Sequence, residues 1–165
     1  MILTIPFYIL YISTSSWWYD GMTIRSANLL DTSALILMIM KMHTESKVDI
    51  PPLNVSKVSD AVTGAIKTGL VYVALEEENL IGSIGGVVST DWFSEEKILG
   101  DLWFYVDDKH RSSNTAVRLI KQFISAGKKA KIKIRLGHIY FGDMERKDAF
   151  YNKLGFNLIG QIYSE

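Results

Sequence analysis

The alternation of apolar and polar positions changes period several times along the chain, and each change marks an element. Met22-Thr23-Ile24-Arg25 opens like a first strand. From Asp31 the pattern predicts a helix, with Asp31 or Thr32 as its N-cap and an almost unbroken apolar run from Ala34 to Met42. A helix apolar on most sides is buried or lies under a partner. Ile50-Pro51-Pro52 ends it, because proline has no amide and restricts the residue before it. Asn54 or Ser56 can cap a second helix, with Val58, Ala61, Val62, Ala65 and Ile66 on one face and an end near Gly69. Leu70 to Leu75 and Leu80 to Val88, joined by a turn at Glu76 to Asn79, read as an antiparallel hairpin. Gly82, Gly85 and Gly86 weaken its second strand and permit a bulge or a close backbone approach. Thr90 to Glu95 is a loop.

The most informative stretch follows, from Lys97 to Leu119. Its aromatic-rich apolar run ends at Val106, a polar break covers Asp107 to Ser113, and helical spacing begins at Asn114 with Ala116, Val117, Leu119, Ile120, Phe123 and Ile124. A strand, a short turn and an amphipathic helix point unpaired N–H groups and the positive end of the helix dipole at one spot, which suits a phosphate. Arg111 adds a positive charge there, and Ser112 and Ser113 add hydroxyls. A plain strand–turn–helix with a capped start fits the same pattern. Beyond it the spacing predicts a strand over Ala130 to Leu136, a helix over Asp143 to Lys153 with Gly155 at C′, and a closing strand over Phe156 to Tyr163. The order β-α-α-β-β-β-α-β-α-β describes an α/β (α+β) sandwich of mixed strand direction.

Residues 1–21 stand apart as an apolar extension, and 22–165 read as a single domain. Met1 to Ile12 is too short to span a bilayer, which needs about twenty residues. It also lacks the basic n-region of a secretory signal. An added strand, a peripheral aromatic anchor around Trp17 and Trp18, or sequence upstream of a start at Met22 all remain open. Eighteen basic and eighteen acidic residues balance, so no overall field favours nucleic acid or a membrane surface. Lys121, Lys128, Lys129, Lys131, Lys133 and Arg135 nevertheless crowd together, as a solvated face or as a local anion site beside the helix. The absence of cysteine removes disulfides, thiol nucleophiles and thiolate metal sites. Three scattered histidines argue against a metal enzyme, and a cytoplasmic location is expected.

Two stretches, taken with the element order, resemble the GNAT-type N-acetyltransferase superfamily. Val106 to Ala116 (VDDKHRSSNTA) looks like its pyrophosphate pattern V-x-x-x-x-(Q/R)-x-x-G-x-(G/A), and Asp148 to Phe156 (DAFYNKLGF) like its late helix ending F-Y-x-K-L-G-F. The shortened RSSN wording is similar to bacteriophage-encoded members. Asn114 departs from the family, standing where glycine is usual, and asparagine tolerates tight backbone conformations better than other side chains do. The resemblance implies a largely antiparallel mixed sheet with a splayed central strand pair and helices on both faces. It implies acetyl-CoA as acyl donor, no metal, and a small-molecule or peptide amine as acceptor; a homodimer is compatible with it. The backbone of Phe104, Tyr105 and Val106 would pair with the pantetheine arm, while Arg111, Ser112, Ser113, Asn114, Thr115 and Ala116 would hold the pyrophosphate.

Acyl transfer from a thioester to an amine needs a neutral amine, donors for the oxyanion and a proton for the departing thiolate. Tyr151 matches the family's catalytic tyrosine and is the candidate proton donor, its phenol of pKa about 10 being protonated at neutral pH. The base is less clear. Relatives that place it on the central strand use the face shared by residues 100 and 102, here Gly100 and Leu102. Asp101 is the only carboxylate within that strand, and alternation points it to the opposite face unless a bulge intervenes. Asp91, Glu95 and Glu96 could act through water or bind a cationic acceptor; His110, His43 and His138 are weaker candidates. Met144 stands where the family often has asparagine, so one donor contact is missing. A non-catalytic module of the same fold, such as a phage structural or host-interaction protein, is the alternative.

Overall fold

The hairpin expected between Leu70 and Val88 forms the middle of a five-stranded sheet in a computed structural model that describes residues 21–46, 50–137 and 144–160. The strands are β1 (Met22–Ser26), β2 (Val71–Glu76), β3 (Asn79–Thr90), β4 (Lys97–Val106) and β5 (Lys133–Arg135), in the spatial order β1-β2-β3-β4-β5. The first four run antiparallel and β5 joins β4 in parallel. Four helices accompany them: α1 (Thr32–Glu45), α2 (Val55–Lys67), α3 (Thr115–Lys129) and α4 (Met144–Lys153). Glu77 and Glu78 make the β2–β3 turn at φ 47° and 69°. This is left-handed geometry that a tight hairpin demands and that glutamate adopts at a steric cost. Among the described residues no helix is long and apolar enough to cross a membrane.

The two faces of the sheet carry separate cores. Leu35, Met38 and Met42 of α1 and Val62 and Ile66 of α2 pack on Val71, Val73, Trp103 and Tyr105. Leu119, Ile120 and Phe123 of α3 pack on Ala74, Ile84, Leu99 and Val106, with Phe150 and Tyr151 of α4 joining at the margin. The apolar run of α1 is therefore not buried all round: Leu37 on its outer side is 66% exposed. Asp31 does not cap α1 with its side chain. Its carboxylate is held by both Arg25 nitrogens at 2.7 and 2.8 Å and closes a capping box with Asn28 on a short 3-10 turn. Asn54 caps α2 through the Lys57 amide at 3.0 Å, as expected.

β4 belongs to both cores because it contains a bulge. Gly85 faces Trp103 but Gly86 faces Asp101, so Leu102 is the extra residue. Strict alternation would put Leu99, Trp103 and Tyr105 on one face; the bulge sends Leu99 to α3 and the other two to α1 and α2. The glycines opposite leave the room. A Cβ on Gly85 would lie 2.2 Å from the Trp103 ring, and one on Gly86 would lie 2.4 Å from the Phe123 ring and 2.6 Å from the Gly100 carbonyl.

β5 pairs with β4 only at Ile98–Lys133, Leu99–Ile134 and Gly100–Arg135. The Asp101 carboxylate then takes the Gly137 amide at 2.7 Å. Beyond that point, among the described residues, β4 has β3 on one side and no strand on the other. The strand expected over Ala130 to Leu136 is thus shortened to three residues. Its first part is taken up in leaving α3, with Lys131 at φ 56° and the Ile132 amide on the Gly127 carbonyl. The closing strand is also corrected, since residues 156–160 form none. The Phe156 amide turns back to the Tyr151 carbonyl as the end of α4, and Leu158 and Ile159 are exposed. The extension's first twenty residues, His138, Asp143 and residues 161–165 lie outside the described residues.

Gly86→Ala should cost about 1–3 kcal/mol, because the obstructing Gly100 carbonyl is main chain and cannot rotate away. Urea unfolding curves would show it as a lower midpoint at unchanged slope. Replacing Glu77-Glu78 by Asn-Gly should stabilise the fold by about 0.5–1 kcal/mol, read as a higher midpoint, since both residues then fit the left-handed turn.

Candidate functional site

The turn from β4 into α3 is built from short local bonds. The Asp107 amide extends the ladder to the Ile81 carbonyl, and its carboxylate caps a 3-10 turn over Asp108–His110. Ser113 donates through Oγ to the His110 carbonyl at 2.7 Å and accepts the Thr115 amide at 3.2 Å, while the Thr115 side chain is buried. Asn114 sits at φ −81°, ψ 3°, open to any residue, so replacing the family's glycine imposes no left-handed strain. Among the described residues, the amides of Ser112, Asn114, Ala116 and Val117 have no protein acceptor. They stand at the start of a fifteen-residue helix, where its dipole is positive. An anion with several acceptor oxygens matches that arrangement.

Arg111 does something other than wait for that anion. Its Nε donates to the Val106 carbonyl at 2.9 Å, its guanidinium lies 5.2 Å above the centre of the Tyr105 ring, and its Nη2 pairs with Glu45 at 2.5 Å. The Tyr105 hydroxyl donates to the second Glu45 oxygen at 2.8 Å. Burial works to raise the Glu45 carboxyl, but the bonds from Arg111 and Tyr105 hold it below its usual range. Burial and the same carboxylate push the Tyr105 phenol up to about 12. One turn earlier on α1, Lys41 pairs with Asp107 at 2.6 Å. The far end of α1 is thus fastened to the turn by two ion pairs. No local pattern announces Glu45 or Lys41, each 66 residues from its partner. His110 Nε2 meets Glu76 at 3.1 Å and its buried Nδ1 has no partner among the described residues, so this histidine braces the turn against the end of β2.

The open edge of β4 is the second component. With the Asp107 amide bonded to Ile81, antiparallel alternation turns the main chain of Tyr105 toward β3 and that of Phe104 and Val106 toward the gap beside β5. Tyr105 therefore cannot offer the gap its main chain. The Val106 carbonyl is also occupied, by Arg111. Phe104 stacks on Phe150 of α4 at 6.5 Å, and Tyr151 stands edge-on to Phe150 and to Phe156. Burial, then the charge of Asp101, raises the Tyr151 phenol, which keeps its proton throughout the neutral range. The bulge falls one residue after Asp101, so Asp101 stays opposite Gly100 and Leu102 and shares with Phe104 the face where α4 packs. The fold thereby brings Asp101 and Tyr151 to one place at the mouth of the gap.

Other candidates are engaged elsewhere. Asp91 accepts both Arg135 nitrogens at 2.9 Å, which lowers its carboxyl. Glu96 has Lys133 at 3.8 Å. His43 Nε2 meets the Pro51 carbonyl at 2.9 Å and ties α1 to the following loop. Met144 begins α4, exposed. The basic run is exposed throughout, and most of it clusters at the end of α3, about 21 Å of helix from the open amides. It is a solvated face there, matching the negative end of the dipole.

A family model described as an acetyltransferase (GNAT) domain matches residues 67–158, more than half of the chain. No curated protein matches the sequence. Among solved structures, a predicted acetyltransferase of Clostridium acetobutylicum, crystallised with acetyl-CoA, superposes with a TM-score of 0.69 at 14% identity, covering 87% of this chain and 95% of that one. A GCN5-related N-acetyltransferase of Ralstonia eutropha gives 0.66 at 17%, covering 88% and 98%. Glucosamine-6-phosphate N-acetyltransferase of Arabidopsis thaliana gives 0.65 at 14%, covering 88% and 98%. At these identities the likeness is one of fold.

Glu45→Gln should lower stability at neutral pH by about 0.5–1 kcal/mol, the pair being partly exposed. Because the folded carboxyl lies below its unfolded value, that difference is full above the ordinary carboxylate range and closes as the pH falls through it. Melting curves of both proteins at neutral and acid pH would show the gap narrowing on acidification.

Proposed function

As the chain belongs to the GNAT family of acetyltransferase domains, we propose that it moves an acetyl group from acetyl-CoA to a primary amine, by direct attack with both substrates bound. The observation that carries this reading is the pairing of two unfilled sets of main-chain groups: four amides at the start of α3, and the edge of β4 left by β5. The first suits the diphosphate. The second suits the amides of the pantetheine arm, through Phe104 and the Val106 N–H. With Arg111 neutralised by Glu45, amides and helix dipole rather than side-chain charge do the holding.

The chemistry then needs little from the side chains, because positioning two reactants supplies most of the rate. Asp101 takes the proton of the amine as the C–N bond forms. Tyr151 hydrogen-bonds the sulfur as the C–S bond breaks, and gives up its proton. An ordinary phenol near 10 is a weaker acid than a thiol near about 8.5, so this transfer is uphill when Tyr151 stands alone. The charge of Asp101 is one cause of the raised phenol. Once Asp101 has accepted a proton that charge is gone, and Tyr151 becomes a better acid than before at the moment the thiolate appears, although burial, the larger cause, still holds its phenol up.

Acetyl-CoA should bind saturably and raise the melting temperature, with about 2.7 kcal/mol of stabilisation at a hundredfold excess over Kd. Tyr151→Phe should leave that binding intact and lower kcat about 10²-fold or more, read as thiol release with a panel of amines. Asp101→Asn should do the same, with part of the loss recovered at alkaline pH, where the amine is neutral without help. Absence of calorimetric heat at millimolar acetyl-CoA would overturn the reading.

A further inference from the structure

One patch of the sheet has no described helix above it, and it lies behind the pair Asp101 and Tyr151. Leu99 and Ile134 face α3, where both would crowd a side chain on Gly127. Alternation turns their neighbours Gly100 and Arg135 to the other face, side by side across β4 and β5. Val87, opposite Gly100 on β3, and the bulged Leu102 share that face, and both are exposed. A Cβ on Gly100 would meet only the Arg135 carbonyl, at 3.8 Å, so the floor of the patch is open. The Arg135 fork to Asp91 ties the β3–β4 loop to the edge of this patch. Next along that loop are Trp92 and Phe93, with ring centres 5.4 Å apart and planes at 85°. They are 96% and 69% exposed.

From this corner, and resting on the acetyl-transfer reading above, we infer that the acceptor is an arylalkylamine, a primary amine on a short arm attached to a flat apolar ring. Two perpendicular aromatic rings on the loop that borders this apolar strip receive one guest ring by its face and its edge. Leaving an indole almost wholly in water is unfavourable, and a guest ring would relieve it. Charge points the same way. The carboxylates Asp91, Glu95 and Glu96 share this end of the sheet with the cations Lys97, Lys133 and Arg135, so no net negative charge is left to draw a polycation. A short arm fits the geometry, because the amine must pass from this face through the gap beyond Gly100 to reach Asp101.

Calorimetry on the full chain with coenzyme A present, using phenethylamine, tryptamine, spermidine and kanamycin as probes, tests the inference. The two arylalkylamines should bind about tenfold tighter or better than the polycations. Trp92→Ala, an exposed change that leaves the core alone, should weaken them by about tenfold while coenzyme A affinity holds; Phe93→Ala should act in the same direction. Equal or tighter binding of spermidine or kanamycin, an unchanged phenethylamine affinity in Trp92→Ala, or no binding by any probe would overturn it. Thiol release from acetyl-CoA in the same samples separates the two ideas. Release with spermidine but not phenethylamine refutes the acceptor class and keeps the transferase, whereas phenethylamine binding without release keeps the surface and refutes the transfer.

Discussion

A single inserted residue in the fourth strand governs this molecule. Leu102 breaks the alternation of β4, and the strand's two halves then serve the sheet differently. The first half lies between β3 and β5 as an ordinary interior strand. The second gives Trp103 and Tyr105 to the α1–α2 core and Phe104 and Val106 to the α3 side, and it parts from β5. Bulges increase local twist, which accounts for two neighbouring strands diverging within a few residues. Two adjacent glycines on β3 accommodate the Trp103 ring that the bulge swings outward and the Phe123 ring of α3, and neither tolerates a Cβ where it stands. Close packing on both faces makes the opening a fixed feature of the sheet.

The electrostatics follow a similar division between holding and reacting. Two ionised side chains of the β4–α3 turn are matched by α1: Arg111 by Glu45, and Asp107 by Lys41. Each such pair is worth little when exposed, on the order of 0.2–1 kcal/mol, and their joint effect is to fix the turn's shape. Among the described residues, main-chain amides at the start of α3 and the edge of β4 are left without partners. Their partial charges neither move nor titrate, and they lose little on desolvation compared with a guanidinium. The titratable pair Asp101 and Tyr151 sits apart from this scaffold, where burial and a neighbouring charge shift a second phenol upward.

Much of this was legible in the residue pattern because the relevant signals are local. The hairpin, the strand ending at Val106, the helix start after Ser113 and the C′ glycine at Gly155, with φ +87°, all depend on a few consecutive residues. Gly82, Gly85 and Gly86 allowed for a bulge or a close approach in β3, yet only the pairing register shows that the extra residue is Leu102 of β4. What stayed hidden depends on contacts far apart in the chain. Glu45 has no motif, and Arg111 looked like an anion ligand because its partner lies a whole sheet away in sequence. Over residues 156–160 the expected closing strand is absent for the opposite reason. Its apolar spacing is sound, but the turn that ends α4 claims the amide of Phe156, and no described strand stands beside it.

The two clasps between α1 and the turn have a wider meaning. The helix that Lys41 and Glu45 bind to the β4–α3 turn is the one whose far end leads, through the His43–Pro51 contact, into the connection toward α2. Shifting that helix means parting both clasps, so its position and the shape of the turn are set together. Thermodynamic reciprocity makes the influence mutual: whatever steadies the one steadies the other in equal measure. A helix that looks in section like plain walling is the yoke that keeps the turn in place.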